Sequence, residues 1–191
     1  MSGAHLHPFR HINPGVGGGI LKIDSRDISL ICLFAAAYAI GVIVFASISF
    51  NPFQVRVADA MLPLSIIFGP PAAIGFSLGC FIANLYGGYG AINVAVIVDV
   101  IGGSIANFIA CMLAWLIGGS SVKRRFIGCL AETATITVIV GGYLSLTYNM
   151  PIEISLLGIF IGSLISINIL GLILLEAVYR RGIAKRYIRT G

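Results

Sequence analysis

Charge is what this chain has least of. Asp, Glu, Lys and Arg make up only 10% of its 191 residues, against 58% apolar, whereas a soluble globular domain carries roughly 25% charged residues. A soluble fold of this length could not hide so much apolar surface, because small folds leave a large share of their surface in water. The shortage therefore excludes an ordinary soluble domain and makes lipid the natural solvent. Histidine is missing from the apolar runs, since His5, His7 and His11 all precede residue 28, so no metal set is expected within the spans and the His5-x-His7 pair reads as part of a tail. The four cysteines, Cys32, Cys80, Cys111 and Cys129, lie in or beside apolar runs without metal-type pairing and read as small apolar fillers. A Walker-type phosphate loop is lacking, and no nucleophile–base arrangement stands out. Neither an enzyme nor a resident cofactor is expected. The net charge of +5 does not point to nucleic acid, because the basic residues sit in clusters between apolar runs, which is a topology signal.

What is present is a succession of long apolar runs. Residues 28–50 form the first, and a bilayer core needs about 20 such residues as helix. Residues 51–60 are polar enough for a loop, and residues 61–87 are apolar but interrupted by Gly69-Pro70-Pro71, where proline deletes a backbone donor and restricts its predecessor. One kinked helix and two short helices compete for that region, and charge decides between them. Runs 126–147 and 154–178 separate Lys123-Arg124-Arg125 from the tail carrying Arg180, Arg181, Lys185, Arg186 and Arg189, so these clusters share a side. Arg10, Lys22 and Arg26 join them only if an even number of spans precedes Lys123. Runs 28–50 and 93–118 supply two, so the interrupted region must supply two more.

The expectation is an all-α integral membrane protein, a bundle of six transmembrane helices at about 28–50, 55–68, 71–87, 93–118, 124–147 and 154–178. Eleven of the twelve Lys and Arg residues then face the cytoplasm, leaving Arg56 outside, a strong positive-inside bias. Residues 1–27, which lack the apolar core of a secretory signal, read as a cytoplasmic extension, residues 28–179 as the membrane domain and residues 180–191 as a basic cytoplasmic tail. The short second span should be tilted or shielded by protein, because irregular backbone is tolerated at membrane depth only there.

Small residues recur every four positions, which places them on one helix face. Span one carries Ala35-x-x-x-Ala39 and the overlapping Ala37-x-x-x-Gly41, span three Gly75, Gly79, Ala83 and Gly87, and span four Gly102, Ala106, Ala110, Ala114 and Gly118. Each ladder is a smooth face on which another helix can lie close. The ladders of spans three and four are expected to pack inside the chain.

An ionisable group within lipid is costly and marks function by default. Asp99 and Glu132 lie within spans, and Arg56 and Asp59 lie near the outer edge, three residues apart and able to pair on a helix. Asp99 stands about 9 Å deep, six residues into span four. It needs a partner, a polar ligand or a water-filled cavity. Asn84, Tyr86 and Asn93 gather at the outer ends of spans three and four, Tyr143, Tyr148 and Asn149 around spans five and six, and Gln54, Arg56 and Asp59 on the same side. Interfacial tyrosine is ordinary belt chemistry, but amides and acids converging at one end suggest a pocket for a small polar ligand. Asn107 and Asn168 lie deeper and read as interhelical hydrogen-bonding groups.

One stretch carries a further signal. The series Ile48-Ser49-Phe50, Gln54-Val55-Arg56-Val57-Ala58-Asp59-Ala60, Leu62-Pro63-Leu64, Gly75, Leu78-Gly79-Cys80, Ala83-Asn84-Leu85 and Asp99-x-x-x-Gly103-Ser104-x-Ala106 resembles the queuosine-precursor transporter family (QueT). This is a substrate-binding S-component of energy-coupling-factor (ECF) transporters. The resemblance implies six helices, capture of a micronutrient from outside, and assembly with an ECF membrane scaffold subunit and two cytoplasmic ATPase subunits. It also implies docking of the scaffold on the first-span pattern at Ala35 and Ala39. The chain departs from the family in carrying Asp59 where Glu is more common and Ser163 after Gly162 where Glu is expected. An S-component for a different vitamin therefore stays open, as does a structural membrane protein without a ligand. For a 7-deazaguanine base, Asp59 or Asp99 would accept from the N1–H and exocyclic amine edge. Asn84 or Asn93 would read the ring carbonyl, and Phe53, Tyr86 or Tyr143 would stack on the ring. Gln54 and Arg56 complete the candidate set.

Overall fold

A computed structural model describes residues 24–46, 56–87 and 94–182. Six helices make up the described fold: α1 (Ser25–Val44), α2 (Val57–Phe68), α3 (Pro70–Gly87), α4 (Val94–Ile117), α5 (Val122–Thr147) and α6 (Ile152–Arg180). No strand occurs among the described residues. Four of these helices, α1, α4, α5 and α6, are long and apolar enough to cross a membrane. Their outer faces carry Leu33, Ile40, Val44, Ile105, Leu157, Ile161 and Ile173, each at least half exposed, which is the surface a hydrocarbon solvent requires. The protein is a multi-pass membrane protein.

Local chemistry sets the helix ends. Asp24 caps α1 by accepting from the Ser25 N–H at 2.8 Å, while Asp27 reaches back to the Asp24 N–H at 3.3 Å, the reciprocal arrangement that satisfies orphan donors. Ser121 caps α5 through the Arg124 N–H at 3.3 Å. Between α2 and α3 the chain turns at Gly69, whose φ of +62° is glycine territory. A Cβ there would also stand 3.0 Å from Trp115 Nε1. Pro70 then opens α3, where its missing N–H costs nothing. The interrupted region thus forms two helices.

Two irregular segments face each other in the bundle's middle. Residues Val57–Leu64 of α2 wind as a 3₁₀-helix and only Ser65–Phe68 as α. At 2.0 Å rise per 3₁₀ residue α2 covers about 22 Å, against about 18 Å for twelve α-helical residues. Opposite it, Leu164–Gly171 of α6 wind as a π-helix. Gly171 lets the two approach: a Cβ there would lie 2.8 Å from Pro63 Cγ and 3.0 Å from the Ala60 carbonyl. Both segments have buried faces, the condition for irregular backbone in a membrane domain.

Contacts fix the direction of every helix. Gly75 and Gly79 of α3 lie against Ile31–Phe34 and Ala35–Tyr38 of α1, so α1 and α3 run parallel. Along α2, Arg56 meets Asp99, the Leu62 carbonyl meets Cys111 and Gly69 meets Trp115, so α2 runs parallel to α4. Ser77 with Ser104 and Asn84 with Asp99 set α3 antiparallel to α4. Tyr143 against Gly102 and Gly128 against Gly118 do the same for α4 and α5. Ser155 with Gly141, Thr133 with Asn168 and Arg125 with Glu176 do it for α5 and α6. Successive helices therefore alternate in direction. The start of α1, the α4–α5 connection and the end of α6 share one end of the bundle, and with them Lys123, Arg124, Arg180 and Arg181.

The ladders of α3 and α4 pack inside the chain. Ala83, Ala106, Ala110 and Ala114 are fully buried. Ala35 and Ala39 correct the expectation of an outside partner. They are only 9% and 7% exposed, because the glycines of α3 take that face of α1. A Cβ on Gly79 would stand 2.6 Å from the Ala35 carbonyl.

Candidate functional site

At the end of the bundle away from the basic cluster, five of the residues singled out in the sequence come together. Arg56, at the N-terminal edge of α2, is 6% exposed. One of its terminal nitrogens, Nη2, donates to Asn84 Oδ1 at 3.0 Å and lies 3.7 Å from Asp99 Oδ2, and Nη1 is 3.5 Å from Cys80 Sγ. Asn84 Nδ2 donates to the Asp99 carbonyl at 2.8 Å. The Tyr143 hydroxyl donates to Asp99 Oδ1 at 2.6 Å. Asp59, 4% exposed, accepts from the Tyr38 hydroxyl at 2.5 Å. A guanidinium, two carboxyl groups, two phenols and an amide thus stand within one apolar bundle.

The backbone makes room for this cluster. A Cβ at Gly103 would lie 2.9 Å from Asn84 Nδ2, and one at Gly102 would lie 2.9 Å from the Tyr143 ring. The two glycines of α4 therefore let an amide from α3 and a phenol from α5 reach Asp99. Asn84 and Cys80 are one helical turn apart and share a face of α3.

Inward of this network lies a small cavity lined by Arg56, Asp59, Asn107, Ile136, Val140, Ile159 and Ser163. Asn107 is eight residues beyond Asp99 on α4, about 12 Å deeper. Arg56 and Asp59 roof the cavity, and Asn107 and Ser163 line it with Ile136, Val140 and Ile159. Its volume is about 10 Å³, roughly the minimum for one water. A larger guest needs the roof to part. The Arg56–Asp99 contact, at 3.7 Å, is an ion pair beyond hydrogen-bonding distance, and the same Nη2 is held by Asn84 Oδ1 at 3.0 Å.

The other expected residues fall elsewhere. Tyr86 stands 60% exposed, two residues from Asn84 and on the opposite face of α3, so the fold does not bring it into the cluster. Gln54, Asn93 and Phe53 lie outside the described residues. Tyr148 is 53% exposed, and Asn149 takes a φ of +49° in the α5–α6 turn. Glu132 is fully buried on α5, where Ser65 Oγ donates to Oε1 at 3.2 Å and Oε2 has no partner among the described residues, while Lys123 is exposed. Reading the sequence missed Tyr38, Cys80 and the cavity roles of Asn107 and Ser163. A phenol in the middle of an apolar run was the available signal for Tyr38, since a buried Tyr hydroxyl needs a partner.

Chemically the cluster offers donors and acceptors on one side and an aliphatic wall of Ile136, Val140 and Ile159 on the other. That pairing suits a small, flat, polar molecule. Among the described residues no group of His, Cys, Asp and Glu is arranged to hold a metal ion.

No curated protein and no solved structure matches the chain. A family model described as QueT transporter matches residues 28–180, which include all six helices but for the first residues of α1. This chain belongs to the QueT transporter family, a family of membrane transport proteins.

Proposed function

We propose that this chain is the substrate-binding membrane subunit of an ECF-type, ATP-driven importer, and that its ligand is a queuosine precursor, a 7-deazaguanine base. The observation that carries the reading is the network of buried Arg56 and Asn84 with half-buried Asp99 and Tyr143, and buried Asp59 beside it, at the bundle end opposite the basic residues. Buried ionisable groups are expensive in a membrane domain and are kept for a task. Positive charge marks the cytoplasmic side, so the cluster faces outward, where a nutrient is met. The six helices, alternating in direction, each cross the bilayer, with the start of α1 and the end of α6 on the cytoplasmic side.

The chemistry of a guanine-like ring fits these groups. The Asp59 carboxylate accepts from the ring N1–H and the exocyclic amine, and the aliphatic wall packs on the ring face. Asp99, released from Arg56, receives a cationic substituent such as an aminomethyl group. ATP hydrolysis belongs to separate cytoplasmic ATPase subunits, joined through a membrane scaffold subunit. With Ala35 and Ala39 buried, the scaffold meets another face of the chain.

Thermal unfolding of the purified chain in detergent tests the reading. A ligand that binds only the folded state stabilises it by about RT ln(1 + [L]/Kd). The panel contains 7-deazaguanines, guanine and common vitamins. A shift confined to 7-deazaguanines is the expected result. A shift with another vitamin overturns the substrate, and co-purification without any ATPase subunits overturns the importer assignment.

A further inference from the structure

Asn107 is buried to 2% exposure in the middle of α4, and its Nδ2 has no hydrogen-bond partner among the described residues. A buried amide donor without a partner costs stability, so folding alone gives no reason to keep it. Its position supplies one, because Asn107 lines the same cavity as Asp59, together with Ser163. Asn84, the amide first expected to read a ring carbonyl, is already committed. Its Nδ2 donates to the Asp99 carbonyl, and its Oδ1 accepts from Arg56.

Resting on the base reading above, we propose that Asn107 is a specificity-determining residue that donates to the ring carbonyl of the ligand, completing with Asp59 the recognition of a guanine-like edge. That edge presents one acceptor and two donors in a row: the carbonyl, the N1–H and the exocyclic amine. A carboxylate can take the two donors but has nothing to offer the acceptor. The Asn107 Nδ2 supplies the missing donor from the floor of the cavity. Together they reject rings with the opposite pattern, because a buried donor facing a donor leaves both unpaired. The polar edge then lies between Asp59 and Asn107, the two polar groups that line the cavity with Ser163 and Arg56.

The test compares 7-aminomethyl-7-deazaguanine with its 6-thio analogue, which keeps the N1–H and the amine but is a far weaker acceptor. Affinities are measured by titration on the purified full chain, unaltered and as Asn107→Leu, with Asn107→Ala as a second variant in case the larger side chain disturbs folding. Unfolding without ligand is measured alongside. The unaltered chain should prefer the oxo compound by about tenfold, the size of one good hydrogen bond in a buried site. The Asn107 variants should lose most of that preference while unfolding at an unchanged or higher temperature without ligand. Preference retained in full by the variants overturns the Asn107 assignment alone. A fall in ligand-free stability with preference retained shows Asn107 to be a packing residue and overturns it as well. If the unaltered chain binds neither compound, the base reading falls and the Asn107 assignment with it.

Discussion

The Tyr143 hydroxyl lies 2.6 Å from Asp99 Oδ1, bridging α5 to α4 across a gap that only glycine at position 102 leaves open. Asp99 is 18% exposed at its side chain, so this phenol donates to an acid that is only partly covered. Tyr143→Phe keeps the ring against Gly102 and removes only the donor. Interhelical hydrogen bonds in membrane proteins average about 0.6 kcal/mol and reach about 1.7, so stability should change by that order. Ligand affinity should fall more than stability does, because Asp99 loses the group that orients it. Asp99→Asn should weaken binding far more than Glu153→Gln, which alters an exposed residue in the first turn of α6. Equal affinities for these last two variants, measured by titration in detergent, would remove Asp99 from the site.

Arg56 is tied to two partners at once, Asn84 and Asp99. Arg56→Met leaves Asp99 without its cation and should cost about 3–5 kcal/mol, as breaking one side of a buried pair generally does. Arg56→Lys should not rescue it, because a single ammonium lacks the planar fork that spans both partners. Removing the charge opposite should: the double variant Arg56→Met with Asp99→Asn is expected to be more stable than Arg56→Met alone. Thermal unfolding of the four proteins gives the coupling directly. Strict additivity would mean that the ion pair does not hold the roof of the cavity.

Much of the fold could be read from the residues themselves. The break at Gly69-Pro70 and the packing of the α3 and α4 ladders inside the chain follow from proline chemistry and from four-residue spacing. Arg56, Asp59, Asn84, Asp99 and Tyr143 stood out because polar groups in apolar runs are costly. The rest depended on which face of a helix turns inward, and spacing alone does not say. Ala35 and Ala39 form a face as smooth as any docking surface, but Gly75 and Gly79 occupy it. Tyr86 has the right chemistry at the right end of α3 and the wrong side of it. The 3₁₀ winding of α2 carries Pro63 as its local mark, whereas the π winding of α6 lies against it through Gly171 and depends on that contact across space.

Two glycines separate close approach from mere helix propensity. At Gly79 a Cβ would meet the Ala35 carbonyl at 2.6 Å and its Cα at 3.1 Å, and backbone cannot step aside as a flexible side chain can. Gly79→Ala should therefore push α3 from α1 and destabilise the protein by about 1–3 kcal/mol, the usual cost of overpacking. Gly142 has nothing within 4 Å of the equivalent position among the described residues. Gly142→Ala in the interior of α5 should stabilise by up to about 1 kcal/mol, the helix-propensity difference. Unfolding curves for the two variants should move in opposite directions. A Gly79→Ala protein as stable as the parent would show that α1 and α3 are not held in this contact.

Arg125 makes a two-pronged ion pair with Glu176 at the opposite end of the bundle. Its Nε and Nη2 grip the two oxygens of Glu176 at 2.6 and 3.0 Å, and its Nη1 donates to the Ser120 carbonyl at 2.6 Å. Its guanidinium also lies 3.9 Å from the centre of the Tyr179 ring. One side chain thus ties the α4–α5 connection and the start of α5 to the end of α6. The pairing is bidentate and mostly shielded, with side chains 3% and 18% exposed, a geometry that lysine cannot copy. Arg125→Lys should lose part of the contact, and Arg125→Ala about 3–5 kcal/mol, since Glu176 is left without its partner. The proposed ligand site lies at the far end of α5, where Tyr143 meets Asp99. Both variants, assayed well below their unfolding temperatures, should therefore bind ligand as the parent does. Weaker binding by folded Arg125→Lys would instead reveal that the two ends of the bundle are coupled through α5.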